Sequence, residues 1–201
     1  MQITYRTNEI MVICGMIESG KSTFMKRIVK PIQRRITWDY NREHADMGYV
    51  VHYDHQIKQH FIDEGLRHLV FQPYKRSMSD FEAFLTAIQP FRNYTLIIEE
   101  AERYCTSSPK YMPQILKDHI DTGAHHRATG LIVTCRRIAE LHPSITFNAK
   151  HAVMFKQFRH ADRKRLNKDF GIGIEALKKL KDYYYWHFYR GKLYFKEPVA
   201  N

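Results

Sequence analysis

Residues 9–23 read EIMVICGMIESGKST, an apolar run that opens into a glycine-framed loop. Residues 10–14 are apolar without a polar break, as a strand buried on both faces requires. Gly15 to Ser22 then match the pattern G-x-x-x-x-G-K-[ST]. In that pattern the glycines let backbone N–H groups wrap a phosphate chain, the lysine reaches the terminal phosphates and the hydroxyl reaches Mg²⁺. A helix beginning near Gly20 would add the partial positive charge and unpaired N–H groups of its first turn. Gly15, Met16, Ile17, Glu18, Ser19, Gly20, Lys21, Ser22 and Thr23 are therefore the candidate nucleotide-binding residues. Glu18 is the odd member, since a carboxylate in a phosphate loop is unfavourable unless it faces solvent or a neighbour.

Outward from the loop, short β-type runs alternate with helical patterns: residues 35–39, 68–72, 95–99, 130–135 and 152–158 are the further strand candidates. This alternation predicts an α/β fold with a mostly parallel sheet between helices. Phe24, Ile28 and Ile32 recur at helical spacing, and Pro31 predicts a helix end near Val29 or Lys30. Phe81, Phe84, Leu85, Ile88 and Phe91 predict a second amphipathic helix, capped by Ser79 or Asp80. A third is expected after Pro109, with Tyr111, Ile115 and Leu116 on one face. The segment YYYWHFYRGKLYFKE, 183–197, reads as a C-terminal β-hairpin turning at Arg190-Gly191. A chain of 201 residues has room for one such domain, taken as 1–201.

The 32 basic and 21 acidic residues leave a formal charge of +11, which favours a polyanionic partner, nucleic acid ahead of membrane. Residues 156–197 hold twelve Lys/Arg against five Asp/Glu, or +7 of that total. Arg163, Lys164 and Arg165 lie in this segment and are the candidate DNA contacts. Cys14, Cys105 and Cys135 form no C-x-x-C pair, so neither a zinc site nor a disulfide framework is indicated. No apolar run approaches the roughly 20 residues of a membrane helix, and the chain is expected to be soluble and unprocessed.

Chemistry beyond phosphate holding enters with YTLIIEEAERY, 94–104. A strand ending in two acids can set Glu99 on the metal or its water shell and Glu100 beside the γ-phosphate, orienting water. Small kinases activate a substrate hydroxyl and usually lack the second acid, so hydrolysis of ATP with Mg²⁺ is preferred over phosphotransfer. In HHRATGLIVTCRR, 125–137, Thr134 ends a strand where it can bridge the γ-phosphate and the water. Arg127, Arg136 and Arg137 flank that strand. An arginine reaching a neighbouring subunit's nucleotide can stabilise transition-state charge, although each of these could equally be a surface or DNA contact.

The order of these elements resembles the FtsK–HerA superfamily of DNA-pumping ATPases, in particular the small genome-packaging ATPases of tailless icosahedral viruses, including turreted viruses of hot-spring archaea. The resemblance rests on the phosphate loop, the double acid, R-x-x-G from Arg127 to Gly130, T-x-R from Thr134 to Arg136, and ELHPSITFNAKHAVMFKQF, 140–158. It spans roughly residues 8–170 and implies a RecA-like P-loop NTPase core. It further implies a homo-oligomeric ring, a hexamer, threading double-stranded DNA through a basic channel, with capsid or portal-vertex proteins as further partners and the host cytoplasm or the virion as location. By the resemblance, Lys21, Ser22, Glu99 and Glu100 keep the roles given above, and Arg127 is the best match for the arginine acting in trans, with Arg103, Arg136 and Arg137 as alternatives. Two departures stand out: the family usually has aspartate at Glu99, and its sensor glutamine falls on Cys135. Competing readings are a host-type translocase, a DNA-binding module whose assembly is set by ATP, and a small-molecule phosphotransferase.

Overall fold

The computed structural model describes residues 3–198. Its strands are β1 (Ile10–Cys14), β2 (Arg35–Trp38), β3 (Tyr49–Val51), β4 (His68–Phe71), β5 (Thr95–Ile98), β6 (Thr106–Ser107), β7 (Lys110–Tyr111), β8 (Gly130–Cys135), β9 (His151–Met154), β10 (Tyr185–Tyr189) and β11 (Lys192–Lys196). The α-helices are α1 (Lys21–Val29), α2 (Asp54–Lys58), α3 (Met78–Ile88), α4 (Gln114–Thr122), α5 (Pro143–Phe147), α6 (His160–Phe170) and α7 (Ile174–Lys178). Apart from the small antiparallel pair β6–β7, the strands build a large, mostly parallel sheet set among helices, the α/β class expected from the alternation.

The chain divides into two compact units. One takes in the chain through Glu9, Ile28–Glu99 and Met112–Ile132; the other takes in Ile10–Arg27, Glu100–Tyr111 and the chain from Val133 onward. In the first unit β5, β2, β4 and β3 lie side by side, all parallel, with Trp38 in register with both Phe71 and Ile98. Trp38 is fully buried, its ring 5.4 Å from Phe71, 5.0 Å from Phe81 and 5.2 Å from Phe84. Such aromatic clusters bury large areas and fix α3 against the sheet. The cap of helix α3 is Ser77, two residues before Ser79 and three before Asp80. Ser77 Oγ accepts from the Asp80 N–H at 3.1 Å and the Asp80 carboxylate accepts from the Ser77 N–H at 3.1 Å, a reciprocal capping box.

Arg35 is a buried cation at the start of β2 that the strand pattern did not single out. Its guanidinium donates to the carbonyls of Val29 at 3.0 Å, Ile32 at 3.1 Å and Met47 at 2.8 Å. It thereby satisfies acceptors left open where α1 ends, near the expected Val29. The third helix does not start at Pro109: residues 106–111 form the β6–β7 pair, and α4 begins after Pro113, with Leu116 and Ile120 buried and Tyr111 exposed.

In the second unit β1 runs parallel to β9, while β9 and β10 and then β10 and β11 pair antiparallel. Strand β9 stops at Met154 rather than continuing to residue 158; beyond it the Phe155 N–H donates to the Cys14 carbonyl at 2.9 Å and the Lys156 carbonyl accepts from the Met16 N–H of the phosphate loop. The β10–β11 hairpin turns at Arg190, φ 46°, and Gly191, φ 83°, both left-handed as a tight two-residue turn requires. Tyr185 packs its ring 5.1 Å from Phe24 and 5.3 Å from Phe155, so the hairpin is part of the sheet and its core.

Candidate functional site: a phosphate loop, a clasped acid and a buried carboxylate cluster

The loop from Gly15 to Gly20 is shaped by its surroundings in the second unit. Strand β1 is buried from Met11 to Cys14, and the chain leaves it through the Gly15 N–H, which donates to the Cys135 carbonyl at 3.3 Å, and the Met16 N–H, which donates to Lys156 at 3.4 Å. A Cβ on Gly15 would lie 2.6 Å from both Phe155 Cβ and Ser19 Oγ, and Gly20 sits at φ 101°. Both glycines are therefore required by space or backbone. Glu18 has φ 61° and is exposed, which accounts for the misfit in the motif: it occupies the left-handed turn at the loop tip with its carboxylate in solvent. Ile17 beside it is 65% exposed.

Lys21 opens α1, whose first turn carries no acid, so its positive end is uncompensated. The Lys21 ammonium donates to the Met16 carbonyl at 2.5 Å, closing over the loop. Burial depresses its pKa below the ordinary lysine value, with Arg136 pushing in the same direction. Ser19 Oγ is buried with no hydrogen-bond partner among the described residues. An orphaned hydroxyl and a partly desolvated ammonium around a glycine loop are groups that an anion bearing several oxygens would satisfy. The chain thus fits a nucleotide phosphate chain here. Ser22 and Thr23 are exposed at the start of α1, with the Ser22 hydroxyl free to serve a phosphate-bound Mg²⁺.

Glu100 lies in the same unit. Its backbone is left-handed, φ 50° and ψ 49°, and its N–H donates to Thr134 Oγ1 at 3.2 Å. Both carboxylate oxygens are gripped by arginines, Oε2 by Arg103 and Oε1 by Arg136. Arg136 is aimed by its own N–H, which donates to buried Glu102 Oε1 at 2.7 Å. Burial holds the Glu102 carboxyl above its usual value. Arg137 is spent on Asp162 at 3.0 Å and Glu140 at 2.8 Å. Cys135 is fully buried, and burial together with the neighbouring Cys14 thiol keeps it protonated; a thiol so placed is a poor hydrogen-bonding partner for phosphate.

In the first unit Glu99 is 4% exposed. It accepts from the Asn41 N–H at 3.0 Å, Asn41 Nδ2 at 3.2 Å and His44 Nε2 at 3.1 Å. Burial alone would raise its pKa, but the hydrogen bonds from His44 and Asn41 outweigh that and hold it below the usual carboxylate range. Asp39, His44 and Glu99 each offer a ligand atom within 4.8 Å of the others. Asp39 in turn accepts from the N–H groups of Glu43 and His44, each at 3.0 Å, and from Gln72 Nε2 at 2.8 Å. Asp39, Asn41, His44 and Gln72 were not singled out in the sequence. The acid closing RITWD was the available signal for the first, and nothing local marks the other three. Arg127, half-buried in this unit, donates to the Gln89 carbonyl at 2.6 Å.

The three candidate DNA contacts on α6 differ in placement. Arg163 is buried, 3.6 Å from Glu175, and Arg165 donates to Asp169 at 2.5 Å and Thr146 at 3.0 Å. Lys164 alone of the three is exposed. Among the described residues no helix is long and apolar enough to cross a membrane.

No protein-family description matches the sequence, and no curated protein does. Solved structures do match. The genome packaging NTPase B204 from Sulfolobus turreted icosahedral virus 2, in complex with AMPPCP, superposes with a TM-score of 0.81 at 21% identity, covering 96% of this chain and 98% of that one. The same NTPase in complex with ATP-gammaS gives 0.78 at 20% identity over 98% and 100%. VirB4 of Thermoanaerobacter pseudethanolicus gives 0.66 at 10% identity over 96% and 90%. Along nearly its whole length, then, this chain has the P-loop ATPase fold that a viral genome packaging NTPase and VirB4 also have.

Proposed function

We propose that the protein hydrolyses ATP with Mg²⁺ at residues 15–23 and uses the energy to move double-stranded DNA, as a ring of identical subunits packaging a viral genome. The observation that carries this reading is the pairing, within one unit, of a glycine loop built for phosphate with a buried acid, Glu100, whose backbone and carboxylate are both fixed. The fold shared with a packaging NTPase crystallised with ATP analogues supports it.

In this reading the Lys21 ammonium leaves the Met16 carbonyl for the β- and γ-phosphates, and the Ser22 hydroxyl would hold the Mg²⁺. When bound, the ion would neutralise developing phosphate charge. Glu100 orients the attacking water, and Thr134 senses the γ-phosphate through the same backbone segment it anchors. Arg127, released from Gln89, is the proposed arginine acting on a neighbouring subunit's nucleotide. Ring assembly, DNA, capsid or portal-vertex proteins, and a place in the host cytoplasm or virion follow from this task.

The test is Glu100→Gln. It should bind ATP as tightly as the parent and lose steady-state hydrolysis by about 10²-fold or more, the range expected for a positioned acid–base group. Turnover near the parental rate would remove Glu100 from the reaction.

A further inference from the structure

Ala176 of α7, residues 179–181 and Tyr184 line, with Trp186 and Phe195 of the β10–β11 hairpin, a cavity of about 390 Å³, within the size range of sites for small organic ligands. Its walls are rings. Trp186 and Phe195 are register partners across the hairpin and so share a face, their centroids 5.4 Å apart, and the Tyr184 ring lies 5.8 Å from Phe195, tilted by only 21°. Phe195 stays 51% exposed on the sheet's edge strand. Lys179 and Lys181 also line the cavity, both exposed, their ammonium groups with no hydrogen bond or ion pair among the described residues. The nearby acid, Asp182, is engaged by Lys156 at 3.0 Å.

Flat apolar walls with unneutralised ammonium groups beside them suit a ligand that joins a flat ring to an anion. We propose that this pocket binds an unpaired nucleotide of single-stranded DNA, the base stacked among Tyr184, Trp186 and Phe195 and the phosphates held by Lys179 and Lys181. A duplex keeps its bases in the stack and offers only phosphates, so it cannot use the ring walls. An acidic, aromatic peptide would satisfy the same two features locally. The same unit exposes further cations outside the pocket lining, Lys164, Lys168, Lys178 and Lys192, as binding along a repeating polyanion requires. The proposal rests on neither ATP hydrolysis nor duplex translocation, and its test contains no ATP.

Trp186 provides the readout, because the other tryptophan, Trp38, is fully buried in the other unit. Emission is followed while the protein is titrated, at one fixed salt concentration, with a short oligothymidylate, with a blunt duplex of equal length and with a short Glu/Tyr peptide. The single strand should quench saturably and bind roughly tenfold or more tighter than the duplex, given the worth of one stacked base. Phe195→Ala and the pair Lys179→Gln with Lys181→Gln should each weaken it by about that factor, and Phe195→Tyr should restore it. Equal binding of single strand and duplex, indifference to Phe195→Ala in a protein with unchanged circular dichroism, or preference for the peptide would overturn the proposal.

Discussion

Glu100 is held in a left-handed backbone that non-glycine residues adopt at a cost of about 1–3 kcal/mol, and three neighbours keep it there: Thr134 on its N–H, Arg103 and Arg136 on its carboxylate. Thr134→Val keeps the shape and deletes the acceptor. It should leave a buried N–H unpaired, lower the urea midpoint by the equivalent of about 1–3 kcal/mol and slow hydrolysis while ATP binding persists; unchanged turnover would detach Thr134 from the chemistry. At this scale the sequence marks candidates where the residue type is itself the chemistry: the spacing points to Lys21, Ser22, Glu99 and Glu100. It does not point to His44 and Asn41, because their link to Glu99 spans 55 and 58 positions and no local pattern encodes a contact made across a sheet.

Elements were legible in proportion to how local their determinants are. Strands β1 and β8 match the apolar runs 10–14 and 130–135 residue for residue, since burial on both faces leaves an unbroken run. The cap of α3 was placed too late because Ser77, Ser79 and Asp80 are all capable acceptors, and only the backbone decides among them. Arg35 was read as a strand residue, and its true work is on three carbonyls. Arg35→Met should strand them and cost about 2–4 kcal/mol in urea unfolding; a loss below 1 kcal/mol would show that water replaces it. In the hairpin, His187 is buried and its Nε2 lies 3.1 Å from His151 Nδ1. Burial first, then the charges of His151 and Lys196, push its pKa down to about 4. The folded protein therefore keeps His187 neutral while the unfolded chain takes up a proton below about pH 6.5. Stability is full above that pH and falls as the pH drops from about 6.5 towards 4. His119 in the other unit, with a pKa likewise near 4 from burial, adds to the same slope. His187→Phe should reduce the loss of stability between pH 6.5 and 4 in denaturant titrations; an unchanged slope would assign it elsewhere.

For the whole molecule, the α/β class and the mostly parallel sheet followed from the alternation of elements, while the distribution of charge did not follow from its position in the sequence. Arg163 and Arg165 look like surface cations in RHADRKRLNKDFG, yet one is buried and the other is tied to Asp169 and Thr146. Helix periodicity turned them inward, leaving Lys164, Lys168, Lys178, Lys179 and Lys181 exposed. If these carry duplex binding, affinity should fall steeply with salt, by about one order of counterion dependence per phosphate neutralised, and Lys164→Gln should lower that slope where Arg165→Gln mainly lowers stability. In the proposed function this chain couples ATP hydrolysis to duplex DNA. The decisive measurement is steady-state ATP hydrolysis with and without double-stranded DNA, alongside sizing of the particle with a non-hydrolysable ATP analogue. Duplex DNA should stimulate hydrolysis and the analogue should yield an assembled ring; a monomer whose hydrolysis is absent or indifferent to DNA would rule that coupling out.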